Sequence, residues 1–321
     1  MTLLKKFAGA LALSVLAIAP AMAQAQYPDH AINLIVPWGA GGGTDATGRI
    51  VATLLEKELG QPINVINRTG GGGIVGHTEI SYSPPDGYTL GIITTELSMY
   101  HWTGVSPLNY SNYEALALFN ADPEAVYVRA DGPSLDELLA EIRANPGTIK
   151  ASGANLGGMA HLGWAGVLTT NGIDPADAPW VPTEGAAASL QLLASGAISV
   201  VTTTMPDASP MVEAGEVKPL VVAANERVAA APDVPTAEEA LGNKWAAYAW
   251  RGIAAPNGLP DDVKATLVAA LDKVFNSDEF AEFMKQRNFG IDYRDAAGFE
   301  AFMMDADTSI GKALQAVGLA K

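Results

Sequence analysis

Residues 37–45 read PWGAGGGTD and follow directly on an apolar run, INLIV, at 32–36. That run has the length and composition of a buried strand. A helical pattern then covers 44–59 and stops at Gly60. Ile50, Leu54 and Leu55 fall on one face, and Glu56, Lys57 and Glu58 on the other. Strand, glycine loop and helix in that order put the loop at the carboxyl end of a strand, where α/β sheets bind ligands. Gly39, Gly41, Gly42 and Gly43 open backbone conformations closed to other residues and let a ligand approach bare N–H groups. Thr44 or Asp45 is placed to cap the helix, whose positive end faces the same space. The expectation is an anion cradle.

The same unit recurs outward from that stretch. Residues 63–66 form a second strand, 67–73 (NRTGGGG) a second glycine loop, and 74–82 a helix. Pro84-Pro85-Asp86-Gly87 is a turn, and 88–94 a third strand. Residues 115–119 and 125–129 read as two strands, and 134–144 as a helix with a Ser134–Glu137 capping box. A second set follows: strand 149–152, loop 153–158, helix from Met159, short strand 179–182, helix 185–195, strand 198–203, helix 206–214 and strand 218–223. Beyond Pro260 the pattern is helical, and these helices are expected to pack back onto the first unit after a crossover near Trp250. The expected fold is α/β and two-lobed, with a mostly parallel sheet in each lobe. Two such lobes with glycine-rich helix N-termini facing across a cleft make a binding-protein architecture, and lobes joined this way close by hinge motion. Expected boundaries are 1–25 for a signal peptide, 26–127 with 251–321 for lobe one, and 128–250 for lobe two.

Composition limits the setting. Lys5 and Lys6 precede an apolar stretch at 7–19, too short to span a bilayer comfortably, and small-x-small cleavage sites follow at 21–23 and 23–25. This reads as a secretory signal and predicts a periplasmic protein. The chain has 321 residues, 49% of them apolar, and no cysteine. Thiol catalysis and thiolate metal sites are thereby excluded. Without Lys5 and Lys6, 17 basic residues face 35 acidic ones, a balance of −18. Such a surface repels nucleic acid, so none is expected as partner.

Signals for chemistry are weak. GAGGGTD lacks the Gly-Lys of a Walker loop, and its glycines do not match the dinucleotide fingerprint. His30, His77, His101 and His161 show no zinc-helix spacing, so no metal and no cofactor is expected. His161 reads better as a histidine bonded within its own lobe than as a ligand contact. No serine sits in a nucleophile elbow; Ser152 reads as a polar residue lining the cleft. Asp207, after Pro206, reads as a helix cap. Trp38 and Trp102 fall in loops near the cleft, and Trp164 reads as core. No catalytic residue is assigned, and an enzyme is not expected.

Taken together, several motifs resemble the extracytoplasmic solute receptors of tripartite tricarboxylate transporters, the Bug family. They are YPDHAINLIVPWGAGGGTDATGR, NRTGGGG, SPPDGYTLG, NPGTIKASGANLGGMAHL, VPTEGAAASLQLLASGAISV and WRGIAAPNGLP, spread over nearly the whole chain after the signal. The resemblance implies a two-lobed periplasmic binding protein of the type II, Venus-flytrap kind, a monomer that binds a small carboxylate and delivers it to membrane permease subunits. Carried over residue by residue, it implies contacts from Trp38, Gly39, Gly42, Thr44 and Asp45, with Gly72, Gly73 and Thr95 nearby. From the second lobe it implies Asn155, Gly157, Gly158 and His161, with Glu184, Gly185 and Thr204. Two positions depart from the family pattern. Gly158 stands where a serine is common, and Thr183-Glu184 where a Tyr-Lys pair is common. Exchanging a cation for an anion there favours a monocarboxylate, an amino-bearing acid or an aromatic acid over a dianion. A ligand-presenting sensor subunit and a carboxylate-processing enzyme are the competing classes.

Overall fold

The computed structural model describes residues 27–229 and 231–321. The expected signal peptide at 1–25 lies outside them. The elements in chain order begin with β1 (Ile32–Val36), α1 (Gly43–Leu59), β2 (Ile63–Asn67), α2 (Ile74–Tyr82) and β3 (Thr89–Thr94). A short turn of helix, α3 (Tyr100–Thr103), precedes β4 (Tyr113–Arg129) and α4 (Leu135–Ala144). Then come β5 (Ala151–Ser152), α5 (Met159–Thr170), α6 (Ala186–Ala194), β6 (Val200–Thr204), α7 (Met205–Glu213) and β7 (Val217–Val222). The chain ends with α8 (Ala237–Leu241), β8 (Tyr248–Pro256), α9 (Asp261–Phe275), α10 (Asp278–Gln286) and α11 (Ala296–Ala316).

The strands build two sheets that share β4. One has the order β2-β1-β3-β8-β4, and β4 pairs β6 and β7 in the other, with β5 beside β6. β1 runs parallel to β2 and β3, while β8 is antiparallel to both β3 and β4. In the second sheet β5 runs with β6, and β4 opposes β6 and β7. Each sheet is therefore mixed, with all its strands but one sharing a direction. Each packs its own core. Leu34, Leu55, Phe119, Leu267 and Phe280 are buried in the first lobe, and Leu138, Trp164 and Val200 in the second. The close seat of α2 on β3 requires a glycine: a Cβ on Gly91 would fall 2.1 Å from Ile80 Cδ1.

Three expectations need correction. The segments 115–119 and 125–129 are one continuous strand. Asn120, Asp122 and Glu124 between them look like a turn in composition, yet they alternate with period two and are all buried. The expected strand at 179–182 reduces to a single bridge between Ala151 and Trp180. The crossover near Trp250 is a full strand, β8, inserted between β3 and β4. β4 passes from one sheet to the other between Pro123, paired with Tyr248, and Glu124, paired with Thr204. The boundaries expected at 127/128 and 250/251 thus fall inside β4 and β8.

Candidate functional site

A cavity of about 140 Å³ lies between the two lobes. From the first lobe it is lined by Trp38, Gly39, Gly42, Gly43 and Thr44 of the glycine loop, and by Thr94, Thr95 and Glu96 at the end of β3. From the second come Gly153, Ala154, Met159, Gly185 through Ala188, Thr204 and Asp207. Glu124 reaches it from β4, which crosses between the lobes, and Arg251 from β8 beside it.

Of the fifteen residues implied by the resemblance, Trp38, Gly39, Gly42, Thr44, Thr95, Glu184, Gly185 and Thr204 line this cavity. The other seven stand around it. Gly158 is the N-cap of α5. His161, one turn on, accepts a bond from the Gly157 N–H at 3.0 Å and packs on Trp180. Burial lowers its pKa to about 4, so it holds the loop as a neutral acceptor. Gly73 lies against Tyr100 and His77. Gly72, at φ +67, meets Asn155 of the other lobe: a Cβ there would fall 2.7 Å from the Asn155 side chain. Asp45 is not the cap of α1. Gly42 is the N-cap, and the Asp45 carboxylate folds back to the Gly41 N–H at 3.0 Å and to Arg49 and Asn67. It secures the loop from behind. Ser152 is fully buried, donating to Val181 O at 2.6 Å, and leaves the lining to Gly153 and Ala154. Trp102 packs away from the cleft against Gly311 of α11.

Sequence reasoning missed the charged floor. Arg251 is 4% exposed. Its Nε donates to Thr44 Oγ1 at 2.9 Å, its Nη1 to Asp122 Oδ2 at 3.1 Å, and its Nη2 reaches Asp207 Oδ2 at 3.5 Å. Burial pushes Asp122 up to about 6 against the pull of Arg251. The only sequence signal was a lone arginine inside the apolar segment WRGIAAP.

Two carboxylates cross between lobes, in opposite directions. Asp207, on α7 of the second lobe, accepts the Gly43 N–H at the start of α1, at 2.5 Å. Thr204 Oγ1 donates to it at 2.7 Å; Asp207 is not the cap expected, because Thr204 is the N-cap of α7 and the carboxylate reaches the other lobe instead. Glu96, at the end of β3 in the first lobe, accepts the Met159 N–H at the start of α5. Thr94 Oγ1 donates to it at 2.6 Å. Each lobe thus places an anion on a helix N-terminus of the other, where the backbone donors and the dipole favour negative charge. These two contacts tie the lobes together across the cleft.

The start of α6 opens onto the cavity. α6 begins after Gly185, at φ +145, with no side-chain cap. Its Ala186, Ala187 and Ala188 N–H groups have no acceptor among the described residues, and all three residues line the cavity. An anion entering the cleft meets these three donors free, together with the single Thr44 and Ala160 N–H groups at the starts of α1 and α5, where the Gly43 and Met159 N–H groups are already engaged.

Comparison with known proteins sets this geometry in a family. The profile of the tripartite tricarboxylate transporter family receptor matches residues 47–319. The chain belongs to that family. Among curated relatives, a UPF0065 protein of Bordetella pertussis is 30% identical over 299 residues, 91% of each chain. BugT of the same organism is 28% identical over 262 residues, covering 80% of this chain and 79% of its own. Among solved structures, MatC from Rhodopseudomonas palustris with bound malate superposes with a TM-score of 0.81 at 25% identity, over 90% of this chain and all of its own. The fold is the two-lobed one of periplasmic binding proteins. Receptors of this family bind solutes; among the described residues, no group of acidic residues and histidines is placed to hold a metal.

Proposed function

We propose that this chain captures a small carboxylate in the interlobe cavity and presents it to the membrane permease of a tripartite transporter. The observation that carries this reading is the uncapped start of α6. Three free N–H groups open onto the interlobe cavity that Trp38, Thr95 and Thr204 complete. Backbone donors at a helix N-terminus bind carboxylates without a dedicated cation. MatC, of the same fold, has malate bound, which supports the ligand class. The cavity-lining residues Gly39, Gly42, Thr44, Glu184 and Gly185 are proposed contacts. Gly72, Gly73, Asn155, Gly157, Gly158, His161 and Asp45 are proposed to shape and close the walls. The two lobes are proposed to meet at the strand exchange near 123/124 and 247/248. Export to the periplasm on a cleaved signal, and action as a monomer, complete the proposal.

A thermal-shift screen of ligand-stripped protein against small carboxylates tests it. An acid at 100 times its Kd stabilises by about 2.7 kcal/mol. A panel of mono-, di- and amino acids without one such shift overturns the reading, as does turnover of a bound acid.

A further inference from the structure

The same cavity holds more negative than positive side chains, and one of the buried ones has an oxygen without a partner. Glu96, Glu124, Glu184 and Asp207 line it, and among the described residues Arg251 is the one cation that does. Arg251 is already committed to Asp122 and Asp207. Glu96 is held by Thr94 and Met159. Glu124 is different. It is 3% exposed, and its Oε2 is sealed from solvent with no hydrogen-bond partner. A buried acceptor left unmade costs about 1–3 kcal/mol, so a ligand that supplies its donor recovers that cost. Trp38 lines the same space, and an indole favours a nearby cation.

We propose that Glu124 is the seat of a protonated amine, and that the ligand carries this amine beside the carboxylate held at the start of α6. This inference rests on the carboxylate reading above and extends it to a specificity. The polarity of the cavity matches such a ligand: free N–H donors at Ala186 through Ala188, and an acid without a partner at Glu124. Burial, with Asp207 and Glu96 close by, pushes the Glu124 carboxyl well up. An ammonium group supplies both the missing donor and the missing positive charge.

Calorimetric titration with matched pairs tests the inference: succinate against aspartate, glutarate against glutamate, and hexanoate against 6-aminohexanoate. The expected result is that in at least one pair the amino member binds ten times tighter or more. In Glu124→Gln that ratio falls towards one, while the des-amino member binds no worse. Glu96→Gln serves as a second variant should Glu124→Gln fail to fold, and it should lower the ratio less. Des-amino acids binding as well as their partners, or a ratio untouched by Glu124→Gln, overturn the amine seat and leave the carboxylate reading standing. If no acid of either kind binds, the carboxylate reading falls. Butylamine, run as an amine without a carboxylate, then decides the seat: binding lost in Glu124→Gln keeps it, and no binding removes it.

Discussion

Asp207 links the lobes through two contacts, so removing its charge should open the molecule. In Asp207→Ala the Gly43 N–H loses its acceptor and Arg251 loses one of its two carboxylates. Both lost contacts cross from the second lobe to the first, whereas Arg251–Asp122 lies within the first and survives. A hydrogen bond to a charged group is worth about 1.5–3 kcal/mol net of solvation. That figure applies to the closed state relative to the open one, because each lobe keeps its own core. The ratio of closed to open molecules should therefore fall by about 10- to 150-fold. The chain has no cysteine, so a single pair of labels is easily placed. Tyr82 on α2 and Ala140 on α4 are exposed, one on each lobe. Single-molecule energy transfer between Tyr82→Cys and Ala140→Cys should show one compact population in the parent and a longer-distance one in Asp207→Ala. Identical distributions would refute the idea that a side-chain carboxylate seated on the start of α1 holds the cleft shut.

Gly72→Ala should act in the same direction, because the added Cβ meets Asn155 at 2.7 Å in the closed form and the residue sits at positive φ; small-angle scattering should show a larger radius of gyration, and an unchanged one would count against that contact. Arg251→Met leaves Asp122 and Asp207 buried without a cation and should cost about 3–5 kcal/mol in calorimetric unfolding; a loss under about 1 kcal/mol would mean that the floor is neutral. His161 should titrate near pH 4 by NMR of its ring, against about 6.5 in an unfolded chain. Above pH 6.5 neither state takes the proton, and between 6.5 and 4 only the unfolded state does. Taken alone, this residue's contribution is intact above pH 6.5 and shrinks as pH falls towards 4. A ring titrating at 6.5 would place it in solvent.

The fold was largely legible because its signals are local. Apolar runs such as 32–36, the glycine loops and the Ser134–Glu137 capping box each act within a few residues. What escaped depended on partners distant in sequence. Asn120, Asp122 and Glu124 read as a turn until the pairing of β4 with β8 and β6 set them on one buried face. Asp207 reads as a cap in its own helix, and only the closed cleft brings Gly43 to it across 164 positions. Glycine loops pointed to helix N-termini, and the structure places several of these around the interlobe cavity. They could not say which of those N-termini the protein fills with its own carboxylates and which it leaves free. Asp45, adjacent to the loop, looked like its functional acid, while the acids in the cavity are Glu96, Glu124, Glu184 and Asp207.

The most direct test is an amide-resolved NMR titration of ligand-stripped protein with the carboxylate that binds best. The predicted outcome is that the largest shifts fall on the N–H groups of Ala186, Ala187 and Ala188, at saturation with one ligand per chain. Binding that leaves those three amides unmoved would contradict the assignment of the α6 start as the carboxylate seat.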